Sequence, residues 1–117
     1  MSSARLRRTP EYKSQVRDYA KSLVQRFGRE VAKVFADDVS TAEQLIQVNR
    51  QLGRVEPYLI DEKLVELSEF TFRSGPKEHQ LIYIAEQNNA GGVDVWMLTF
   101  WVSGQRRSSA RIIRLRP

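Results

Sequence analysis

The sequence predicts an α+β fold, in which an N-terminal edge strand and an antiparallel hairpin of two helices pack on a small antiparallel sheet. Apolar residues recur at helical spacing through most of the first 52 residues, with a glycine midway. Three apolar runs of strand length follow between residues 64 and 102, separated by turn-forming residues. The chain of 117 residues has the size of a single domain, so residues 1–117 are expected to share one core.

The first helix is predicted over residues 10–27, directly after a short basic strand at residues 5–9. Thr9 carries a side-chain oxygen suited to an N-cap, and Pro10 suits the first helical position. Gly28 is expected to end the helix, because glycine tolerates the left-handed conformation common at helix ends. The apolar positions at helical spacing are Tyr12, Val16, Tyr19, Ala20, Leu23, Val24 and Phe27.

The second helix is predicted over residues 29–52, where Gly53 ends it. Two helices joined by a turn with a glycine run antiparallel, and they cannot bury both apolar stripes against each other alone. A sheet is therefore expected to cover what remains, with Phe27, Phe35 and Leu45 facing it. The apolar positions of the second helix are Val31, Phe35, Val39, Ala42, Leu45, Ile46 and Leu52.

Three core strands are predicted at residues 64–73, 80–86 and 93–102. The apolar residues of the first of these strands change face near Ser68, which indicates either a bulge there or a strand covered on both faces. The last strand has apolar residues on both faces. This pattern is typical of a central strand that is buried on two sides.

The composition excludes several kinds of site. The chain has no cysteine, so neither a disulfide framework nor a thiolate metal site can form. Its one histidine, His79, cannot build a histidine metal site alone, and no metal or cofactor is expected. No apolar run approaches the ~20 residues that cross a bilayer, and the N-terminus lacks the apolar core of a signal peptide. A soluble cytoplasmic protein is expected.

The net charge of +5 is unevenly distributed along the chain. Residues 28–69 hold nine acidic and five basic side chains, whereas the rest hold five acidic and fourteen basic ones. Residues 105–117 contain five arginines and no acidic residue. Such a segment suits a phosphate backbone or an acidic protein partner, and a solvated basic tail is the alternative.

Besides the predicted order of strand, helix, helix and three strands, four segments of the sequence resemble segments of a known protein family. They are residues 25–32 (QRFGREVA), residues 45–54 ending in QLGR, residues 80–83 (QLIY) and residues 100–107 (FWVSGQRR). Together they resemble the RelE/ParE superfamily of bacterial toxins over a core of about residues 4–108, followed by the basic tail 109–117. The resemblance implies the toxin of a type II toxin-antitoxin module, which a small cognate antitoxin neutralises by direct binding.

The resemblance implies two possible mechanisms. RelE-like members cut messenger RNA in the ribosome with basic residues and a nearby tyrosine or histidine, whereas ParE-like members are gyrase poisons without that nuclease set. Arg73 and Arg106 stand where the family often has arginines, and such a pair suits a scissile phosphate. The tail after Arg107 lacks tyrosine and histidine, and Gln80 replaces a usual arginine. His79 is then the candidate proton carrier, although a lone loop histidine is more often a surface residue.

The length of the helical hairpin and its glycine exits resemble the ParE branch. This interpretation gives a toxin that inhibits growth by binding a target of the gyrase class through Arg73, Arg106 and Arg107. The alternative is a ribosome-dependent mRNA endonuclease in which Arg73 and Arg106 stabilise the pentavalent phosphate and His79 moves the proton. Antitoxin binding is expected at three apolar tail residues that are interleaved with arginines, Ile112, Ile113 and Leu115.

A third hypothesis is an inactive, toxin-like interaction module that only titrates antitoxin or binds nucleic acid through its basic ends. Trp96 and Trp101 could then stack on bases. Strict alternation along the strand places these two side chains on opposite faces, so core packing is expected for at least one of them. Tyr83 lies within an apolar strand, where a core position with a satisfied hydroxyl is expected.

Overall fold

Two helices pack on one face of a six-stranded mixed sheet. The computed structural model describes residues 4–102 and 111–115. The strand order is β1-β5-β4-β3-β2-β6, with β1 parallel to β5 and the other neighbours antiparallel. The elements are β1 Arg5–Arg8, α1 Pro10–Phe27, α2 Arg29–Val48, β2 Arg54–Ile60, β3 Lys63–Ser74, β4 Lys77–Gln87, β5 Val93–Val102 and β6 Ile112–Arg114.

The α+β class, the edge position of β1, the helical hairpin and the three predicted strands are confirmed. The sheet is larger than predicted, because it also contains β2 and β6. It is mixed rather than antiparallel, because β1 runs parallel to β5. β5 is an interior strand, but it lies second from the edge instead of at the centre. β6 also shows that residues 112–114 of the tail belong to the sheet.

Local capping sets the helix bounds. Thr9 accepts a hydrogen bond from the Tyr12 backbone N–H at 3.1 Å, as predicted for an N-cap. Gly28 is the single residue between the two helices. Its φ is +96°, a backbone conformation that residues with a Cβ rarely adopt. α2 ends four residues earlier than predicted, with Asn49 as its C-cap. A tight turn follows at residues 49–52, in which the Leu52 N–H donates to the Asn49 carbonyl.

The strand β2 contains Pro57, although a proline in a sequence usually argues against a strand at that position. The Pro57 carbonyl accepts a hydrogen bond from the Leu115 N–H on the β6 side of the strand. Because the N and O atoms of one strand residue point to the same side, the missing N–H of Pro57 also faces that side. The proline therefore costs the ladder between β2 and β3 no hydrogen bond.

The core between the helices and the sheet is built on a narrower stripe than the sequence suggests. Phe35 is 2% exposed there, as predicted, but Phe27 and Leu45 are 61% and 49% exposed, so their predicted contact with the sheet is wrong. Leu45 precedes the buried Ile46 by one residue, which is about 100° around the helix. Helical spacing predicts where the buried stripe of a helix lies but not how wide it is. The buried residues of α2 are Ala32, Phe35, Val39, Ala42, Glu43 and Ile46.

A second apolar cluster lies on the other face of the sheet. Residues of β3 contribute to both clusters, so β3 is covered on both faces and has continuous pairing at Ser68 instead of a bulge. The irregularity is in β5, where Thr99 pairs with Ile82 but Met97 pairs with Tyr83, leaving Leu98 as the extra residue. The members of the second cluster are Tyr58, Leu67, Ile82, Trp101 and Ile112.

This bulge changes where the two tryptophans lie. Trp101 belongs to the second cluster, and Trp96 pairs with Ile84, which packs against the same cluster. Both tryptophans therefore occupy the face opposite the helices, and the expectation of opposite faces is wrong. Trp101 stacks near Tyr58, with ring centroids 6.1 Å apart, whereas the half-buried Trp96 lies under the Arg7 guanidinium.

Candidate functional site: an apolar groove with a buried histidine

A groove of about 500 Å³ lies between the closed end of the helical hairpin and the turn that joins β3 to β4. The last turns of α1 and the first turns of α2 form two walls. Ser74, Gly75, Pro76 and Lys77 form a third wall, and His79 lies against the groove. Its apolar side chains include three exposed ones at the hairpin, Phe27, Val31 and Val34.

The hairpin places these residues because Gly28 reverses the chain without intervening residues. Phe27 ends α1 and Val31 lies in the first turn of α2, so apolar side chains from both helices meet at one point. The Ser74 hydroxyl donates to the Asp38 carboxylate at 2.7 Å, which ties the end of β3 to α2. The helix ends and the β3–β4 turn are thereby held beside each other.

His79 is 1% exposed and sits among aromatic rings. The ring centroids of its four neighbours lie 5.3 to 5.5 Å away, and the nearest-to-parallel contact is with Phe100. The expectation of a surface loop histidine is therefore wrong, because Phe72 and His79 are opposite each other in the β3–β4 ladder beneath the helices. The four rings belong to Tyr19, Phe35, Phe72 and Phe100.

Burial lowers the pKa of the His79 imidazole, because the surrounding rings cannot solvate a charge. The ammonium of Lys77 also lowers the pKa of His79, while the Ser74 backbone and the Asp38 carboxylate act in the opposite direction. His79 is therefore neutral at pH 7. Its Nδ1 atom is buried, and none of the residues that the structure describes forms a hydrogen bond with it.

Three charged residues stand at the groove, namely Arg26, Glu30 and Lys77. The Arg26 guanidinium lies 5.2 Å from the centroid of the Phe27 ring, which keeps this cation beside the apolar wall. None of the three is in an ion pair within residues 4–102 and 111–115. The groove thus combines an apolar interior with two cations and one anion at its border.

The sequence-predicted residues do not converge on this groove. Arg73 follows Phe72 in β3, and side chains alternate along a strand, so Arg73 and His79 point to opposite faces of the sheet. The Arg73 guanidinium is exposed and donates to the Pro76 carbonyl at 3.1 Å. Arg106 and Arg107 lie outside the described residues, so their predicted roles stay predictions.

The three apolar tail residues have different environments. Ile112 is buried within the chain, where it pairs with Ile60 of β2. Ile113 and Leu115 are exposed. Only these two side chains of the predicted antitoxin contact are therefore available to a partner without undocking β6.

Sequence reasoning missed the groove as a whole. Helical spacing predicts core positions for the apolar residues on either side of Gly28, because it cannot show that the closed end of the hairpin stays uncovered. An available signal was the local density of apolar residues around the glycine turn. Tyr83, in contrast, is buried as predicted, and its hydroxyl donates to the Arg50 carbonyl and accepts from the Gly53 N–H, both at 2.8 Å.

Taken together, the fold and groove define an α+β protein with a concave apolar surface between a helical hairpin and a β-turn. Within the described ranges, no group of three or more potential metal-ligating side chains comes together. None of the helices described is both long and apolar enough to span a membrane. Comparisons with protein-family models, curated proteins and solved structures give no significant match to this chain.

Proposed function

We propose that this chain is the toxin of a type II toxin-antitoxin module of the ParE-like kind. It inhibits bacterial growth by binding a target of the DNA gyrase class, and a cognate antitoxin neutralises it. The proposal starts from the resemblance of the four sequence segments to the RelE/ParE superfamily. The α+β layout, with a helical hairpin on a meander of strands and β1 beside the last meander strand, is compatible with it.

The observation that supports binding over catalysis is the placement of His79. Histidine is the side chain whose ordinary pKa lies near neutrality, and His79 is the only histidine of the sequence. Its imidazole is neutral and is enclosed by aromatic rings. A general acid or base must reach the proton that it moves. Arg73, the phosphate contact of the nuclease hypothesis, lies on the opposite face of the sheet.

The antitoxin contact is proposed at the exposed side of β6. Ile113 and Leu115 stand out from the outermost strand, and the exposed Arg111 beside them forms an ion pair with Asp61. An acidic segment that orders on binding would cover the apolar side chains and meet the basic ones. Replacing Ile113 and Leu115 by serine should weaken antitoxin binding while leaving β6 in place.

The first test is induction of the gene in bacteria, with and without the neighbouring reading frame. Growth arrest that the neighbour suppresses supports the proposal, and normal growth without the neighbour contradicts it. Intact messages, a DNA-damage response and filamented cells are expected. Codon-phased cleavage of messages with undamaged DNA would instead support the endonuclease.

The second test separates binding from catalysis with matched variants. Arg106→Ala with Arg107→Ala should abolish toxicity, because two target contacts are lost. His79→Phe should keep toxicity, because another aromatic ring fits among the neighbours of His79 and no proton transfer is needed. If the protein is a nuclease, losing its proton carrier should lower cleavage by roughly 100-fold or more. Circular dichroism of each variant serves as the folding control.

A further inference from the structure

The face of the sheet that carries the helices has an open, apolar part at β2 and β6. Tyr58 and Ile112 belong to the second cluster on the opposite face, so alternation along the strands places Leu59 and Ile113 on the helix side. Leu59 pairs with Ile113 on one side and with Leu64 of β3 on the other. This open part is called the shelf, and its side chains are Val55, Pro57, Leu59, Leu64, Ile113 and Leu115.

The shelf is open because α2 runs away from it. Asp38 of α2 bonds to Ser74 at one end of β3, whereas Gln47 near the other end of α2 donates to the Ala4 carbonyl just before β1. Leu64, near the far end of β3, is therefore 71% exposed. Together the six side chains present on the order of 500 Å² of apolar surface, and exposed patches of that size often mark interaction sites.

The border of the shelf carries no net charge. Three basic and three acidic residues stand in the turn before β2, in the β2–β3 turn and on the strands beside the apolar side chains. A second copy presents the same neutral border, so two shelves can face each other without net repulsion, although each chain carries +5. The six residues are Arg50, Lys63, Arg111, Asp61, Glu62 and Glu66.

The shape of the molecule around the shelf also matches a second copy. The helices form a layer beside the shelf, since α1 packs on β5 and α2 on β3. A helix with its side chains is about 10 Å thick, and stacked sheets also lie about 10 Å apart. When a second copy is rotated about a twofold axis along β2, its sheet covers the shelf at the height of the helix layer. The same rotation covers the shelf of the second copy, so the contact is closed.

We propose that two copies of this chain form a twofold dimer in which the two shelves pack face to face. The two apolar surfaces together bury about 1,000 Å², which is close to the least that a specific interface needs, so the dimer is weak and depends on concentration. β2 is the middle strand of the shelf and lies along the axis. Val55 of one copy therefore approaches Val55 of the other.

The dimer is independent of the toxin proposal, although Ile113 and Leu115 of the shelf also belong to the proposed antitoxin contact. Its experiments use the purified chain alone, without antitoxin and without a toxicity assay. They change Val55 and Leu64, which the antitoxin contact does not include. The failure of either proposal therefore leaves the other one standing.

Sedimentation equilibrium at increasing protein concentration tests the dimer, and a reversible monomer–dimer equilibrium is expected. Leu64→Glu places a carboxylate in the apolar contact of both copies and should weaken dimerisation by at least about tenfold. Val34→Glu makes the same change at an exposed position of α2 outside the shelf, and it should dimerise like the unchanged chain. Circular dichroism shows that both variants are folded. A chain that stays monomeric up to millimolar concentration would overturn the proposal, and so would equal weakening by the two substitutions.

Cross-linking tests the symmetry of the dimer. The chain has no cysteine, so a single introduced thiol reports on one position. Val55→Cys should form covalent dimers with a short bismaleimide, whereas Val34→Cys should stay monomeric, although the native residues are 57% and 54% exposed. Covalent dimers of Val34→Cys, or none of Val55→Cys at a concentration at which the chain is dimeric, would show that the copies meet elsewhere and that the proposal is wrong.

Discussion

The two faces of the sheet carry the same three-residue cluster in different surroundings. Under the helices, Glu43 accepts hydrogen bonds from Tyr12 and from Arg8, each at 2.7 Å. On the opposite face, Glu69 accepts hydrogen bonds from Tyr58 and from Arg114. Each cluster joins distant parts of the chain: the first fastens β1 to both helices, and the second fastens β6 to β2 and β3.

The clusters differ in how far their arginines are removed from water. The Arg8 side chain is 42% exposed, whereas that of Arg114 is 7% exposed. Burial, and then the neighbouring carboxylate, raises the pKa of Tyr12 and of Tyr58, so both hydroxyls stay protonated and donate. Both arginines fasten a short strand at an edge of the sheet, but Arg114 is almost fully removed from water, whereas Arg8 stays partly solvated. The difference teaches that the loss of Arg114 should cost more stability than the loss of Arg8.

Replacing Arg114 by alanine should have the largest effect on stability. The change leaves the Glu69 carboxylate buried without its guanidinium and also releases β6, so the free energy of unfolding should fall by at least about 3 to 5 kcal/mol. Urea unfolding followed by circular dichroism measures it. Arg111→Ala is the matched control in the same tail, and its exposed pair with Asp61 should be worth less than about 1 kcal/mol. Equal losses of unfolding free energy in the two variants would contradict the burial of Arg114.

Phe35→Ala tests the core under the helices and should lower the free energy of unfolding by about 3 to 5 kcal/mol, because it leaves a cavity among buried rings. Phe27→Ala is its counterpart on the exposed groove wall. That change should cost less than about 1 kcal/mol. A large loss for Phe27→Ala in chemical unfolding would mean that the hairpin end is covered in the folded protein.

Arg8→Ala should lower the free energy of unfolding by about 1 to 3 kcal/mol, less than Arg114→Ala. Glu43 keeps the Tyr12 donor in this variant, and water can reach the space left by the half-exposed arginine. Thermal unfolding compared with Arg17→Ala, whose pair with Asp18 is exposed, isolates the effect of the cluster. A loss as large as that of Arg114→Ala would remove the distinction between the two clusters.

The smallest expected effect is a dependence of the free energy of unfolding on pH, caused by His79 on the helix-covered face of the sheet. The pKa of His79 is lowered in the folded state, so the unfolded chain binds the proton more readily. Stability is full above the unfolded pKa of about 6.5 and declines as the pH falls from there through the lowered folded pKa. Unfolding measured across this range should show the decline, and His79→Phe should lack that contribution. The same slope in both proteins would assign the effect to other groups.

Much of the local structure could be predicted because local chemistry determines it. The N-cap Thr9, the break at Gly28 and the three core strands follow from capping, backbone freedom and periodicity. The apolar strand around Tyr83 predicts a core position with a satisfied hydroxyl, and the structure confirms it. The candidate site was less accessible to prediction, because nothing in the pattern showed which apolar residues would remain uncovered.

The sequence by itself determined that this protein has two helices joined at Gly28, a meander of three strands and basic ends. Only the tertiary structure decided that His79 is buried, that a bulge at Leu98 puts both tryptophans on one face, and that Arg114 closes a sixth strand over Glu69. These features depend on pairing register and on contacts between residues far apart in the chain. A one-residue change of register reverses every side chain beyond it, and no local preference encodes that choice.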